Sequence, residues 1–189
     1  MYKEIQIIAE VKTDSPFGFK SNQDWDNLFK IANEIGDIIS VHTDPRWNGS
    51  FDLIKKTRKL TDKPILAKGI HTKDEDIKKA IEYGADYVLV VGRIPKVYLD
   101  KCFIEPLNLE QLNEIPKNAK VIWNSRDLKN GEIKKESFED ARKIWKGWLC
   151  QASNIKSIAD IKNGADAILV GSHLEEFAKS MRKTLGVNP

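Results

Sequence analysis

The sequence predicts an α/β protein, a short (β/α)8 barrel, and three observations carry that reading. Short apolar runs rich in Val, Ile and Leu recur along the chain, separated by segments whose apolar residues follow a helical period. That is the pattern of βα units around a buried parallel sheet. Eight such runs can be counted, and the tripeptide Gly84-Ala85-Asp86 before the fourth returns as Gly164-Ala165-Asp166 before the eighth. The copies lie 80 residues apart, so four units average about 20 residues each and eight fill the chain as one barrel domain over 1–189.

The elements follow in order. The first strand covers 5–12 and runs into a turn at Asp14-Ser15-Pro16, after which 22–35 reads as a helix. Strand two, 38–42, leads through a loop to a helix at 50–60, and strand three, 65–68, to a helix at 73–83. Gly84 ends that helix, because a helix commonly closes on a left-handed residue and Gly adopts this conformation freely. Strand four, 87–92, is followed only by 93–101 with Pro95 inside it, so the fourth helix is reduced. Strand five, 102–105, precedes a helix at 109–115. Strand six, 121–124, precedes a polar loop at 126–136 and a helix at 137–145. That loop is long enough to fold over a site or to serve as a plain connector. Strand seven, 148–152, a helix at 157–162, strand eight, 167–171, and a helix at 174–185 complete the series. An open doubly wound sheet is the competing architecture, but its glycine-rich turn would follow strand one, where Lys12-Thr13-Asp14-Ser15-Pro16 stands.

Composition narrows the function classes. Hydrophobic residues at 41% and charged residues at 31% are those of a soluble globular chain, and the longest apolar runs, 87–91 and 167–170, are far too short for a membrane span. The N-terminus carries no export pattern, so a cytoplasmic protein without a membrane partner is expected. Cys102 and Cys150 support neither a disulfide framework nor a multi-cysteine zinc site, and His42, His71 and His173 are scattered, so no metal is expected. The charge of +3 comes from bases interleaved with acids, which gives nucleic-acid binding little support. It suits a small anionic substrate and an ordinary solvated surface equally.

Parallel barrels build active sites at the C-terminal ends of their strands. The ends of the eight runs are Glu10 with Lys12, His42, Lys68, Glu105, Asn124, Ala152 with Ser153, and Gly171 with Ser172. Charged residues are seldom buried unless paired, so Glu10, Lys12, Lys68 and Glu105 closing apolar strands need explaining. Each is either the first exposed residue past its strand or part of one polar pocket, in which two amines and two carboxylates shift one another toward acid and base roles. Ser153-Asn154 and Gly171-Ser172 suit the phosphate site that barrels place after strands seven and eight, and the serines suit helix N-caps as well. His42 reads as a core or rim histidine satisfied by the backbone, Trp47 as a possible stacking surface, and Trp123 and Trp148 as core.

These residues resemble the indole-3-glycerol-phosphate synthase family. Ala9-Glu10-Val11-Lys12 with Ser15-Pro16 is similar to the family's first-strand signature. Similar matches follow at Ser40-Val41-His42-Thr43-Asp44-Pro45 with Trp47-Asn48-Gly49-Ser50, at Pro64-Ile65-Leu66-Ala67-Lys68, and at Phe103-Ile104-Glu105. Ile122-Trp123-Asn124-Ser125-Arg126-Asp127-Leu128 and the stretch from Gly164-Ala165-Asp166 through Gly171-Ser172 extend the resemblance over nearly the whole chain. It implies a TIM-type barrel, no cofactor, and a small phosphorylated substrate that is an N-linked anthranilate with an open ribulose-derived chain.

The resemblance also implies roles. Lys68 would protonate the keto oxygen as the aromatic carbon attacks, and Glu105 would be base or charge partner at the ring nitrogen and in dehydration. Lys12 would hold the carboxylate or phosphate end, with a share of the acid work left open. Glu10 and Asn124 would orient the amines and sugar hydroxyls, Arg126 would meet an anionic group, and Ser15, Ser153, Gly171 and Ser172 would hold the phosphate. Departures from the family are a first strand that starts near residue 5 with no N-terminal helical extension before it, Ala152-Ser153-Asn154 where an acidic-Ser-Gly is usual, Gly69-Ile70 after Lys68, and the short connection after strand four. The alternatives are a non-catalytic phosphosugar-binding homologue and a different phosphosugar enzyme, such as an isomerase, on the same barrel.

Overall fold

A computed structural model describes residues 5–186, so 1–4 and 187–189, the ends of the expected domain, lie outside the described residues. Eight strands close into a parallel barrel in sequence order. They are β1 Gln6–Val11, β2 Ile38–His42, β3 Ile65–Lys68, β4 Tyr87–Val91, β5 Cys102–Glu105, β6 Lys120–Asn124, β7 Leu149–Ala152 and β8 Ala167–Val170. The helices are α1 Trp25–Ile35, α2 Asp52–Arg58, α3 Asp74–Glu82, α4 Phe138–Ile144 and α5 Leu174–Leu185.

Period-two alternation divides the strand residues between two environments. Ala9, Val11, Ile39, Val41, Ile65, Ala67, Val88 and Val90 face outward and pack beneath Leu28 and Ala32 of α1, Ile54 of α2 and Ile77 of α3. Val121, Trp123 and Leu149 pack in the same way beneath Phe138 and Ala141 of α4. The opposite parity fills the barrel. Its N-terminal end holds Tyr87, Phe103 and Trp148, with ring centroids 4.9 and 5.1 Å from Phe103. Ile8, Ile38, Leu66, Leu89, Ile122, Cys150 and Leu169 form the layers above. Continued toward the strand C-termini, that inward parity reaches Glu10, Lys68, Glu105, Asn124 and Gly171 in one step and His42 in two, through Ser40.

Three connections depart from regular helices. The short segment after β4 contains only a 3-10 turn at Leu99–Lys101, in line with the reduced fourth helix. The helices expected at 109–115 and 157–162 are also only 3-10 turns, Glu110–Asn113 and Ile158–Asp160. Both are stopped after their first turn: Pro116 restricts Ile115 before it, and the Gln151 side chain takes the Asp160 carbonyl and the Lys162 N–H that further turns would use. Their starts are capped as in ordinary helices. The Asn108 carboxamide oxygen accepts from the Gln111 N–H, and one Asp160 oxygen accepts from the N–H groups of Lys156 and Ser157.

The glycine-alanine-aspartate echo is a structural device. Asp86 Oδ2 accepts the N–H of Ile65 at 2.8 Å, so the residue before β4 fastens the start of β3. Asp166 Oδ2 accepts the N–H of Leu149 at 2.8 Å and so fastens β7. An arginine clamps each copy. Arg58 donates to the Gly84 carbonyl and pairs with Asp86, while Arg142 donates to the Gly164 carbonyl and lies 3.3 Å from Asp166. Gly84 and Gly164 sit at φ of 107° and 84°, where a side chain is strained. Asp37 repeats the strand-fastening half of the device on β1, accepting the N–H of Ile7 at 2.8 Å. Asp166→Ala leaves the Leu149 N–H and the Arg142 guanidinium short of a partner, and is expected to lower unfolding stability by roughly 1–3 kcal/mol in a urea titration.

Candidate active site

The inward residues at the C-terminal end line one cavity of about 730 Å³, counting the part open to solvent. Glu10, Lys12, His42, Lys68, Glu105, Asn124, Arg126, Ser153, Gly171 and Ser172 all contribute to its wall. Strand register brings them together. His42 and Lys68 are lateral partners on β2 and β3, and Asn124 is the partner of Ala152 on β6 and β7. The residues therefore form one pocket and are not merely the first exposed positions past their strands. Glu10 and Glu105 are buried, each 2% exposed.

Glu10 is the hub. Its Oε2 accepts from Lys68 Nζ at 3.0 Å, and its Oε1 lies 2.6 Å from His42 Nε2. The second contact is short, but the oxygen lies off the line of the imidazole N–H, so it is a close polar contact and not an aligned hydrogen bond. Burial pushes the Glu10 carboxyl up, yet Lys68, His42 and Lys12 together outweigh it and hold the group well below the usual carboxylate range. Gly171 leaves room for this arrangement, since a Cβ there would fall 2.1 Å from Glu10 Oε2.

A second buried pair stands across the barrel. Asn124 Nδ2 donates to Glu105 Oε1 at 2.9 Å, while Asn124 Oδ1 accepts from the Ser153 hydroxyl at 2.6 Å and from the Arg126 N–H at 3.0 Å. Burial raises the Glu105 carboxyl against the opposing pull of Lys68 and of the Asn124 bond. The two carboxylates are thus driven in opposite directions, one held ionised and the other made more basic.

Lys12 reaches toward β8, where its Nζ donates to Ser172 Oγ at 3.0 Å. Burial lowers its ammonium to about 8, Glu10 resists, and Lys68 and Arg126 add to the fall. Beside it, α5 begins with no side chain capping its N-terminus. Ser153 and Asn154 take left-handed backbone, at φ of 75° and 58°. Neither Ser153 nor Ser172 caps a helix, which removes the N-cap reading of both. Ser15 is not on the cavity wall; its buried hydroxyl oxygen accepts the Phe17 N–H and braces the loop after β1.

The surroundings of these residues were less legible in the sequence. His42 has no backbone partner of the kind expected, and its ring stacks on Trp47 at 5.3 Å and 3°. Phe17 meets Trp47 edge-on at 6.0 Å, and Gly131 of the 126–136 loop packs against Phe17, so that loop does fold over the site. The loop is pinned by a bridge between Arg126 and Ile133 and returns Lys134, a neighbour of Glu105, over the Trp123 ring. Strand parity alone marks His42, which follows Ile38 and Ser40 at alternate positions. Phe17 and Lys134 carry no such signal, since loop geometry brings them in. Trp123 is fully buried as expected. Among the described residues, no three His, Cys, Asp or Glu side chains are grouped to hold a metal ion, and no helix is long and apolar enough to cross a membrane.

Known proteins share both the fold and the sequence. The solved structure of 3-hexulose-6-phosphate synthase superposes with a TM-score of 0.63 at 16% identity, over 94% of this chain and 99% of that one, which is a likeness of fold. The indole-3-glycerol phosphate synthase of Campylobacter fetus subsp. fetus (strain 82-40) is 33% identical over 89% of this chain and 75% of its own length. The enzyme of that name from Sulfurisphaera tokodaii is 31% identical over 95% and 82%, and the one from Pyrococcus furiosus is 30% identical over 91% and 86%. The family model for indole-3-glycerol phosphate synthase matches residues 1–185, and with that span the chain belongs to the indole-3-glycerol phosphate synthase family.

Proposed function

We propose that this chain is a carboxy-lyase of tryptophan biosynthesis. It closes 1-(2-carboxyphenylamino)-1-deoxyribulose 5-phosphate to indole-3-glycerol phosphate with loss of carbon dioxide and water. The observation that carries this reading is the convergence of the Lys12 and Lys68 amines and the Glu10 and Glu105 carboxylates on one cavity with aromatic side chains in its wall.

The chemistry asks for these parts. The ring carbon bearing the carboxylate attacks the keto carbon, and negative charge develops on the keto oxygen. Lys68, at the end of β3, is the acid that delivers a proton there. Positive charge left on the substrate nitrogen draws in the electron pair of the carboxylate bond as carbon dioxide departs. Dehydration then removes the hydroxyl made from the keto oxygen, together with a proton from the neighbouring carbon. Glu105, whose burial raises its basicity, is placed to take that proton or to balance charge at the nitrogen.

Glu10 and Asn124 orient the reacting groups, the first by its bond to Lys68 and the second by its bond to Glu105. Lys12 and Arg126 take the anionic ends of the substrate. Ser153, Gly171 and Ser172 cradle the phosphate at the start of α5, where backbone N–H groups and the helix dipole favour an anion. Ser15 contributes through the loop it braces.

The purified chain given the phosphorylated anthranilate should generate indoleglycerol phosphate fluorescence, and no product from the unaltered chain would sink the reading. Lys68→Ala and Glu105→Gln should each lower kcat by roughly 10²- to 10⁴-fold. Lys12 is charged below its pKa of about 8 and neutral above it. KM should therefore rise as pH passes upward through that value, and Lys12→Arg, whose cation persists, should flatten the rise.

A further inference from the structure

His42 and His71 are both buried, and they are built differently. His71 is a satisfied structural histidine: its Nδ1 contacts the Leu89 carbonyl at 2.6 Å and its Nε2 the Thr43 hydroxyl at 2.8 Å. Among the described residues His42 has no hydrogen-bonded partner on either nitrogen, and Glu10 Oε1 lies 2.6 Å from its Nε2. A buried polar group without partners is destabilising, and an apolar side chain of similar size would fill the same volume without that penalty. The position therefore calls for a role beyond packing.

We propose that His42 is a positioning residue for the ring closure, holding one oxygen of Glu10 so that the other aims Lys68 into the cavity. This rests on the synthase reading above. The geometry supplies the linkage. Glu10 divides its two oxygens between His42 and Lys68, and those two residues are lateral partners on adjacent strands. The His42 ring is immobilised from its face by Trp47, which is itself tied to the loop after β1 through Phe17. Gly171, lacking a side chain, leaves the Glu10 oxygen that meets Lys68 its place, since a Cβ there would clash with it.

The charges around the pair fix the state of the ring. His42 faces Glu10 of β1 and Lys12 just past it, Lys68 of β3, and Asp44 just beyond its own strand. Burial pushes the imidazole down, and Glu10 pulls against it. A neutral ring has one N–H to give, and a small turn of the ring would aim it from Nε2 at Glu10 Oε1, 2.6 Å away. The expected species is neutral, protonated at Nε2 and bare at Nδ1.

The test compares His42→Leu with His42→Gln, whose amide nitrogen can stand near the position of Nε2. The Leu variant should lose roughly 10- to 100-fold in kcat, as a slight misplacement of an acid does, while KM stays within about two-fold. The Gln variant should regain most of the loss. Unchanged kcat in the Leu variant, or a Gln variant no better than Leu at equal thermal stability, overturns the proposal. A nitrogen-15 histidine spectrum of the unaltered chain, assigned by the signal missing from His42→Gln, should show the Nε2-protonated neutral tautomer. The Nδ1-protonated form overturns the proposal as well. If the Leu variant does not fold, the Gln variant and the spectrum decide. If the unaltered chain makes no product, the synthase reading fails, and the spectrum still decides the contact.

Discussion

A carboxylate buried at the mouth of the barrel is the constraint around which the site is arranged. Removing an unpaired charge from water is unfavourable by several kcal/mol, on the order of what a whole domain has to spare, so Glu10 stays ionised only with compensation. Lys68 and His42 supply it by contact and Lys12 by field. Each of those groups is in turn committed. Lys68 is directed by the oxygen it touches, Lys12 spans to Ser172 on the far side of the β1 and β8 junction, and Gly171 must lack a side chain to leave the oxygens room.

The same cavity holds a second carboxylate in the opposite electrostatic state. Glu105 has Asn124 as its hydrogen-bond partner and a more distant cation, so burial dominates and its affinity for protons rises. Two acids of similar intrinsic strength are thereby separated into a fixed anion that steers a lysine and a group that takes up a proton more readily than an ordinary carboxylate. That separation is produced by neighbours contributed from several strands, and it depends on the barrel being closed.

Closure in turn rests on repeated fastenings outside the site. Aspartates before β2, β4 and β8 take the first free N–H of the preceding strand, and Arg58 and Arg142 lock two of them from helices on the outer layer. The connections after β4, β5 and β7 shrink to 3-10 turns while the sheet stays closed. The loops that remain long, after β1 and β6, meet through Phe17 and Gly131 and shape the cavity mouth.

Much of this was legible in the residue order, and for a definite reason. Strand periodicity, helix-ending glycines and the position of polar residues at strand ends are local properties, so eight strands, their parallel closure and the cluster of Glu10, Lys12, Lys68, Glu105 and Asn124 could be read from the chain. Helix lengths at 109–115 and 157–162 fall short because Pro116 restricts the residue before it and the Gln151 side chain, from β7, takes the Asp160 carbonyl and the Lys162 N–H. Ser15, read as a phosphate contact, uses its hydroxyl oxygen to accept the Phe17 N–H, a bond within the loop that strand periodicity does not reveal. The partners of His42, the return of Lys134 beside Glu105 and the approach of Gly171 to Glu10 are distances across strands far apart in the chain. Sequence determines which face of its strand a residue occupies. Only the closed tertiary structure decides which charges then share that interior, because the field at each group is the sum over neighbours that the fold assembles.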